Sequence, residues 1–193
     1  MAAGLATAAT VWLTGAFHED GLADVTDGLG GSSDRARALE IMKDSRVGAF
    51  GVLAVVLALL AKVSLLALLG SVSSHGMVLG IFAAHVVSRT WPLLLIRLMP
   101  HVGDAAGSKS KPLADQISTG SLLAAGLWLF GALAPVFIGW VAINPGVFAA
   151  ETHADRPAWL PLAVALLASG LAFVYMGRLL WRRLQGFTGD GLG

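Results

Sequence analysis

Residues 17–51 carry most of the side chains that could do chemistry, in the sequence FHEDGLADVTDGLGGSSDRARALEIMKDSRVGAFG. Within it, Asp20, Asp24 and Asp27 follow the spacing i, i+4, i+7, which on a helix brings three side chains within about 60° of one another. Three like charges on one face repel each other, and a divalent cation would offset that repulsion. Because Mg²⁺ takes a few carboxylates together with substrate phosphates and water, the spacing predicts a Mg²⁺ site. The alternative is a solvated acidic loop between two membrane spans.

Polar side chains follow the acids at the start of the next apolar stretch. Asp44 is a further candidate metal ligand. Lys43, Ser45 and Arg46 are candidate phosphate-binding residues, because a metal on one flank and cations on the other suit a phosphate group. In the alternative interpretation, Lys43 and Arg46 only snorkel to the membrane surface.

Glycines separate the acidic segment from a second predicted helix. Gly28, Gly30 and Gly31 can end the acidic helix and let a ligand approach the backbone closely. A short amphipathic helix is then predicted over roughly residues 34–43, lying along the membrane interface. Its cap is expected from Ser32, Ser33 or Asp34.

Two distant segments and one histidine complete the candidate site. Lys109 and Lys111 precede Pro112 in a loop of small residues, which could bring ammonium and backbone N–H groups to a phosphate, although an ordinary positive loop explains them as well. The tail GFTGDGLG holds Asp190 among glycines, where it could ligate metal or accept the proton of an attacking hydroxyl. His18 is the competing base, because imidazole titrates near neutral pH.

The composition excludes an ordinary soluble enzyme. Hydrophobic residues make up 56% of the 193-residue chain and charged residues 13%, about half the usual charged share of roughly 25%. So few charges cannot cover a water-soluble surface, and the same values exclude disorder. A net charge of +1 gives no basic field for nucleic acid. The absence of cysteine excludes disulfides and thiolate chemistry.

The apolar residues form blocks of membrane length. They predict an all-α, polytopic integral membrane bundle of about five transmembrane helices plus one short interfacial helix, in a single domain. At about 1.5 Å per residue, each long block can cross a hydrocarbon core of about 30 Å. The first block is shorter, and we interpret it as the end of a span whose beginning is missing. The predicted spans are 2–17, 47–69, 76–99, 119–143 and 158–180.

The basic residues predict the orientation of the bundle. The segments 18–46, 100–118 and 181–193 fall on one side, and ten of the thirteen Lys and Arg residues lie there or at adjoining helix ends. The positive-inside rule makes that side cytoplasmic; the lipid bilayer is then a partner, and a homo-oligomer is left open. The ten residues are Arg35, Arg37, Lys43, Arg46, Arg97, Lys109, Lys111, Arg178, Arg182 and Arg183.

Three polar side chains lie within the predicted spans. A charge at mid-span costs at least about 2.5–3.5 kcal/mol on insertion scales, so it normally faces a partner or a polar cavity. Lys62 is one such residue. His85 and Arg89 lie at i, i+4 on one helical face, and Arg89 is placed to extend toward a carboxylate or a substrate.

The motifs HEDGLADVTDGLGG and DRARALEIMKDSRVGAFGV resemble those of the cobalamin synthase family, the adenosylcobinamide-GDP ribazoletransferases. The family pattern His-x-Asp-Gly-x-Ala-Asp-x-x-Asp-Gly matches residues 18–28, and its Lys-Asp-Ser-x-x-Gly pattern matches residues 43–48. SKSKPLA at 108–114 and GFTGDGLG at 186–193 are similar to further segments of the family. Members generally carry more chain before the residues matching Ala2 and after those matching Gly193, so the resemblance implies that this sequence lacks both ends.

The resemblance implies an inner-membrane, Mg²⁺-dependent enzyme. Such an enzyme joins adenosylcobinamide-GDP to α-ribazole, or to its 5′-phosphate, and releases GMP. Two alternatives remain open. A CDP-alcohol phosphotransferase has related chemistry, but its Asp-Gly-x-x-Ala-Arg start is not matched, because Asp24 follows Ala23 here. A cation transporter would hold its acids near mid-bilayer, whereas the sequence puts the three aspartates at a membrane boundary.

Overall fold

The computed structural model describes residues 1–103, 117–143 and 160–192, and the regular elements of those ranges are helices. A short 3₁₀ helix, Asp190–Leu192, lies at the end of the described chain. The all-α fold class is therefore confirmed. The α-helices are α1 Ala2–Leu13, α2 Phe17–Gly31, α3 Arg35–Met42, α4 Ala49–Val72, α5 Ser74–Leu98, α6 Thr119–Ile143 and α7 Leu160–Leu184.

Four of the described helices are long and apolar enough to cross a membrane: α4, α5, the Thr119–Gly139 part of α6 and the Leu162–Leu184 part of α7. Their outer faces carry large apolar side chains that protein does not cover, such as Leu57 with 64% of its surface exposed and Trp128 with 80%. Apolar surface on this scale is not stable in water, so these faces suit lipid. The prediction of a polytopic helical membrane protein is confirmed.

The first predicted span is interrupted in the structure. α1 ends after 12 residues, about 18 Å at the helical rise and less than the hydrocarbon thickness. Gly15 and Ala16 then take left-handed φ values of 62° and 58°. Glycine adopts this conformation freely, whereas it costs alanine about 1–2 kcal/mol. These two residues separate α1 from α2, a break that the run of apolar residues does not reveal.

α2 packs antiparallel against the first half of α4, and glycines allow the close approach. A Cβ atom at Gly30 would lie 2.8 Å from the ring of Phe50, and one at Gly51 would lie 3.0 Å from the carbonyl oxygen of Ala23. The acids of α2 therefore lie along a helix of spanning length and not in a loop beyond it. The sequence argued against a transporter because it put the three aspartates at a membrane boundary. Since α2 packs along a helix of spanning length, that argument no longer holds.

α3 forms where the sequence predicts a short helix, and its cap is Asp34. The Asp34 carboxylate accepts a hydrogen bond from the backbone N–H of Arg37 at 2.8 Å. α3 packs on α2 at Gly28, where a Cβ would lie 2.8 Å from the carbonyl oxygen of Ala38. The buried core lies where α2, α3, α5 and α7 meet, and consists of Val25, Ala38, Met42, Leu95, Leu180 and Leu184.

The end of α7 and the tail are fixed to the acidic side of the bundle. Arg35 donates from Nε to the Leu184 carbonyl oxygen at 2.6 Å, which satisfies an orphan carbonyl of the helix terminus. The Phe187 backbone donates to Pro100 at 3.0 Å and accepts from Val102 at 2.8 Å. Phe187 itself is fully buried. α3, residues 100–103 and the start of the tail therefore lie together at one end of the bundle.

Candidate active site

The acids of α2 occupy three different environments. Asp20 is exposed, Asp24 is half-buried and Asp27 is buried. At about 100° per residue, Asp20 and Asp27 are only about 20° apart around α2, so the difference comes from what packs against each turn: the start of α4 covers Asp27. The three carboxylates therefore share a broad face of α2 but are not chemically equivalent.

Asp27 caps α4. Its Oδ2 accepts the backbone N–H of Gly48 at 2.6 Å, and its Oδ1 accepts that of Gly51 at 2.8 Å. These groups belong to the first turn of α4, where backbone donors have no partner within the helix. A Cβ at Gly48 or Gly51 would lie 2.5 or 2.4 Å from the Asp27 carboxylate, so both glycines are required. A part for Asp27 in metal binding or catalysis stays a prediction, because both of its oxygens already serve the cap.

Asp24 lies near three other carboxylates. Its pKa is raised to about 6, chiefly because burial disfavours the charged form, and further by the negative charges of Asp20, Asp190 and Asp27. The sequence predicts this repulsion within α2, and it also names Asp190, 166 positions further along the chain, as a further carboxylate of the site. Residues from both ends of the sequence therefore form one acidic cluster, which we define as Asp20, Asp24 and Asp190.

Asp190 belongs to the site because the tail packs directly on α2. A Cβ at Gly21 would lie 2.8 Å from the backbone carbonyl oxygen of Asp190. Burial raises the pKa of the Asp190 carboxyl, and the charge of Asp20 raises it further, whereas a hydrogen bond from its own backbone and the nearby His101 act in the opposite direction. The predicted position of Asp190 beside the acids of α2 agrees with this geometry.

The acidic cluster fits a metal that is shared with a substrate better than a metal held by protein alone. Within residues 1–103, 117–143 and 160–192, no three His, Asp or Glu side chains are arranged to hold an ion by themselves. The mutual repulsion at Asp24 is nevertheless the electrostatic situation that a cation relieves. Mg²⁺ usually binds through one or two carboxylates, with waters and substrate phosphates as its remaining ligands. The carboxylates of the acidic cluster are compatible with Mg²⁺ that is shared with a substrate in this way.

Asp44 and Arg46 bind each other. Arg46 Nε lies 3.0 Å from both carboxylate oxygens of Asp44, and Nη2 lies 2.5 Å from Oδ2. These hydrogen bonds lower the pKa of the Asp44 carboxyl to about 2 and raise that of the Arg46 guanidinium. One predicted metal ligand and one predicted phosphate-binding residue thus form an ion pair at the start of α4. Lys43 and Ser45 are exposed beside them.

His18 and Arg89 are in direct contact. The guanidinium of Arg89 donates to Nε2 of His18, since arginine has no acceptor. The sequence predicted that Arg89 extends toward a carboxylate or substrate, and the structure places it against a histidine of α2 instead. His18 as a general base stays a prediction, in competition with this contact. Lys109 and Lys111 lie outside the described residues.

A cavity of about 470 Å³ opens between α2, α4, α5 and α7 beside the acidic cluster. Its walls are mostly apolar, and Trp91 stacks on Phe173 with ring centroids 4.9 Å apart. Trp91 also donates from Nε1 to Ser169 Oγ at 2.5 Å. The polar side chains at the cavity are His18, Glu19, Lys62, Ser88, Ser169 and Asp190.

Sequence reasoning missed several parts of this site. The cavity requires four helices that are distant in sequence, and no local pattern reports it. The cap that Asp27 forms on α4 was not predicted. Its one trace in the sequence is the pair Gly48 and Gly51 at the start of an apolar helix, which leaves room for the carboxylate. Lys62 gave a clearer signal, because a charge within an apolar span normally faces a polar cavity.

Comparison with known proteins identifies the family. Residues 1–193 match the family described as cobalamin-5-phosphate synthase. The chain is 63% identical to the adenosylcobinamide-GDP ribazoletransferase of Albidiferax ferrireducens, over 100% of the chain and 68% of that protein. It is 44% identical to that of Leptothrix cholodnii, over 100% of the chain and 67% of the relative, and 40% identical to that of Vibrio cholerae, over 94% and 60%. No solved structure matches.

Fold and site together define a polytopic helical membrane protein with an acidic cluster at one end of its bundle. The chain spans about two thirds of the length of the first curated relatives it matches. It belongs to the cobalamin-5-phosphate synthase family. The resemblance of the motifs at 18–28 and 43–48 is thereby confirmed, and neither the phosphotransferase nor the transporter alternative is favoured.

Proposed function

We propose that the chain joins adenosylcobinamide-GDP to α-ribazole, or to its 5′-phosphate, with release of GMP. The observation that carries the proposal is the acidic cluster on α2 and the tail, in a chain 63% identical to a protein named for this transfer. In the reaction, a ribazole hydroxyl forms a bond to the phosphorus attached to cobinamide. The bond from that phosphorus to the bridging oxygen breaks, GMP leaves with that oxygen, and the hydroxyl proton passes to a base.

We propose Asp20 and Asp24 as the residues that hold Mg²⁺ together with the donor's diphosphate, with Asp190 beside them as the candidate base. When bound, the ion neutralises charge on the transferring and leaving oxygens. The raised pKa of Asp24 supports this assignment, since a carboxylate surrounded by like charges gains most from a nearby cation. Asp27 contributes by fixing α2 against the first turn of α4. Asp44 contributes by orienting Arg46.

Asp190 is the base candidate that the local environment favours over His18. Its raised pKa makes it a better proton acceptor than an ordinary carboxylate, and it lines the cavity where an acceptor could enter. The competing base, His18, directs Nε2 at Arg89. Lys43, Ser45 and Arg46 at the start of α4, with Lys109 and Lys111, remain the proposed contacts for outer phosphate oxygens. The proposed location is the inner membrane, with the acidic end cytoplasmic.

Product analysis tests the function directly. Membranes containing the protein are incubated with adenosylcobinamide-GDP, α-ribazole and Mg²⁺, and GMP and the complete corrinoid are quantified. We expect both products in equal amounts, loss of both on chelation of divalent cations, and a loss of about 10²-fold or more in Asp20→Asn and Asp24→Asn. Glu40→Gln is the matched control, because Glu40 is an exposed acid paired with Arg37 on α3. Absence of GMP with full-length, folded protein would reject the proposal.

A further inference from the structure

Two arginines satisfy the backbone at each other's helix ends. Arg183, in the last turn of α7, donates from Nη2 to the carbonyl oxygen of Leu29 at 3.1 Å, and also to that of Ser32. Arg35, the first residue of α3, donates from Nε to the Leu184 carbonyl oxygen at 2.6 Å. Leu29 lies in the last turn of α2 and Leu184 is the last residue of α7, so their carbonyls have no donor within their own helices.

The exchange joins the carboxyl ends of α2 and α7. Each end carries a partial negative charge of about half an elementary charge from the helix dipole, so the two ends repel each other when they lie side by side. A guanidinium at each end offsets this repulsion, and it offers several N–H donors in one plane. The two arginines therefore hold together two helix ends that electrostatics would otherwise separate.

α7 and the tail are attached to α2 at two points. The first is the hydrogen bond from Arg183 to Leu29. The second lies where the tail returns to α2, because a Cβ at Gly21 would lie 2.8 Å from the Asp190 carbonyl oxygen. Leu29 and Gly21 are eight positions apart, which is about 12 Å along a helix. Asp24 lies between the two points, so the position of Asp190 along α2 depends on both.

The chain turns back toward α2 directly after α7. Gln185 has a left-handed φ of 60°, which residues other than glycine adopt only at a cost. Its side chain donates to the Trp181 carbonyl oxygen at 2.9 Å. Leu184, the residue before the turn, is the one whose carbonyl Arg35 holds. The Arg35 contact therefore fixes where the tail begins.

We propose that Arg183 and Arg35 are positioning residues for the transfer, which set the place of Asp190 relative to Asp24. They hold the end of α7 against α2 and α3, so that the candidate base and the proposed metal-binding carboxylates face the same substrate. The inference rests on the proposed function. It gives these two arginines a part beyond the positive-inside rule, which requires only that their charge lies on the cytoplasmic side.

Steady-state kinetics of two neighbouring arginines test the proposal. We expect Arg183→Gln to lower kcat by about tenfold or more, because a misplacement of about 1 Å can cost about 10²-fold. The KM values of donor and acceptor should change less than about twofold, since a base acts in the transition state. Arg183→Lys should recover part of kcat, because an ammonium still donates to one carbonyl. Arg182→Gln, at the adjacent exposed residue of α7, is the matched control and should keep the parent's kcat.

Arg35→Gln tests the other half of the exchange. We expect it to lower kcat as Arg183→Gln does. The double variant should lose little more than either single variant, because both arginines act on one junction between the helices. Losses that multiply in the double variant would show two independent roles and would overturn the shared junction.

A distance measurement separates positioning from the chemistry. Spin labels are attached after Ser33→Cys, beyond the end of α2, and Gly189→Cys, in the tail, because the chain has no cysteine of its own. The purified full chain is measured in detergent without substrates, and thermal unfolding verifies that each variant is folded. We expect one narrow distance distribution in the parent and in Arg182→Gln, and a broader or shifted distribution in Arg183→Gln.

The two measurements together decide the role of Arg183. An unchanged kcat in Arg183→Gln overturns the proposal. A lowered kcat with the parent's distance distribution overturns it as well, because Arg183 would then act on the substrate and not on the position of the tail. Arg35→Gln gives the same two readings should Arg183→Gln not fold. The expected change in distance, in a protein whose parent form releases no GMP, would reject the transferase function and keep the positioning role.

Discussion

At the scale of single residues, Asp24 links the stability of the protein to its proposed chemistry. Its pKa is about 6 in the folded protein, against an ordinary value of 3.8. Because the folded-state pKa is raised, the protonated form stabilises the fold below pH 3.8, and this contribution is lost as pH rises through 6. The folded protein is thus less stable near neutral pH than it would be with a neutral side chain at this position.

We therefore predict that Asp24→Asn raises the unfolding temperature by a few degrees at about pH 7.5 in metal-free buffer. The gain should shrink as pH falls toward 4, since the parent carboxyl is then protonated as well. Added Mg²⁺ should stabilise the parent more than the variant. Thermal unfolding in detergent measures all three effects. Glu40→Gln, at an exposed acid, should show none of them, and a destabilised Asp24→Asn would contradict the repulsion on which the metal assignment depends.

For Asp27 we expect the opposite effect on stability: replacing this carboxylate should destabilise the fold. We predict that Asp27→Asn lowers stability by about 1–3 kcal/mol, because an amide cannot accept both backbone N–H groups at the start of α4. Below its unfolding temperature, the variant should keep the parent's half-saturating Mg²⁺ concentration for activity. Asp34→Asn is the matched control, since asparagine caps a helix about as well as aspartate. A large rise in half-saturating Mg²⁺ for Asp27→Asn would return Asp27 to the metal site.

Which acids matter was predictable from sequence, but their separate roles were not. The i, i+4, i+7 spacing correctly puts Asp20, Asp24 and Asp27 on one helix. Whether a carboxylate faces a cavity or a neighbouring helix terminus depends on how α2 packs against α4. That packing is decided by glycines whose effect is only visible when both helices are present. The sequence likewise contains Asp44 and Arg46 two positions apart, but not the backbone turn that pairs them.

At the scale of elements, the tail is the part that completes the site. Gly186 allows the chain to pass against Pro100, because a Cβ at Gly186 would lie only 2.3 Å from the Pro100 carbonyl oxygen. The Phe187 side chain and its two backbone hydrogen bonds then hold the tail against the segment after α5. These contacts place Asp190 on α2.

We predict that Gly186→Ala abolishes most activity, by about 10²-fold or more, because the added methyl group displaces Asp190 from the acidic cluster. Gly21→Ala should act in the same direction, since its Cβ would lie 2.8 Å from the Asp190 carbonyl oxygen on the other side of the contact. Gly189→Ala is the control within the same loop: nothing lies within 4 Å of its Cβ, so activity should stay near the parent's. If Gly186→Ala and Gly189→Ala have equal activity, the tail does not position a functional carboxylate.

At the scale of the whole molecule, the sequence predicts the membrane class most reliably and the connection between spans least. Four apolar blocks became helices α4 to α7, with bounds shifted by a few residues. Hydrophobicity reports burial in lipid directly, so long blocks are unambiguous. The break at Gly15 and Ala16 depends on backbone torsions that hydrophobicity does not encode. As a result, residues that were predicted as one span followed by a cytoplasmic loop form a pair of helices, α1 and α2, and α2 packs along α4.

The arrangement of the helices makes a topology experiment decisive. Hydrogen bonds tie α3 to the end of α7 and the turn after α5 to the tail, whereas Ser74 lies at the opposite end of α4 and α5. The chain has no cysteine, so single cysteines can be introduced into a background without other thiols.

We predict that cysteines at Ser33 and Gly189 react with a membrane-impermeant maleimide from the same side of sealed vesicles, and that one at Ser74 reacts only from the other side. Thr188 is unsuitable, because only 5% of its surface is exposed. The positive-inside rule predicts that the first side is cytoplasmic, so we expect Ser33 and Gly189 to be protected in right-side-out vesicles and labelled in inverted ones. Labelling of Ser33 and Gly189 from opposite sides would separate Asp190 from α2 by the bilayer and would contradict both the fold and the acidic cluster.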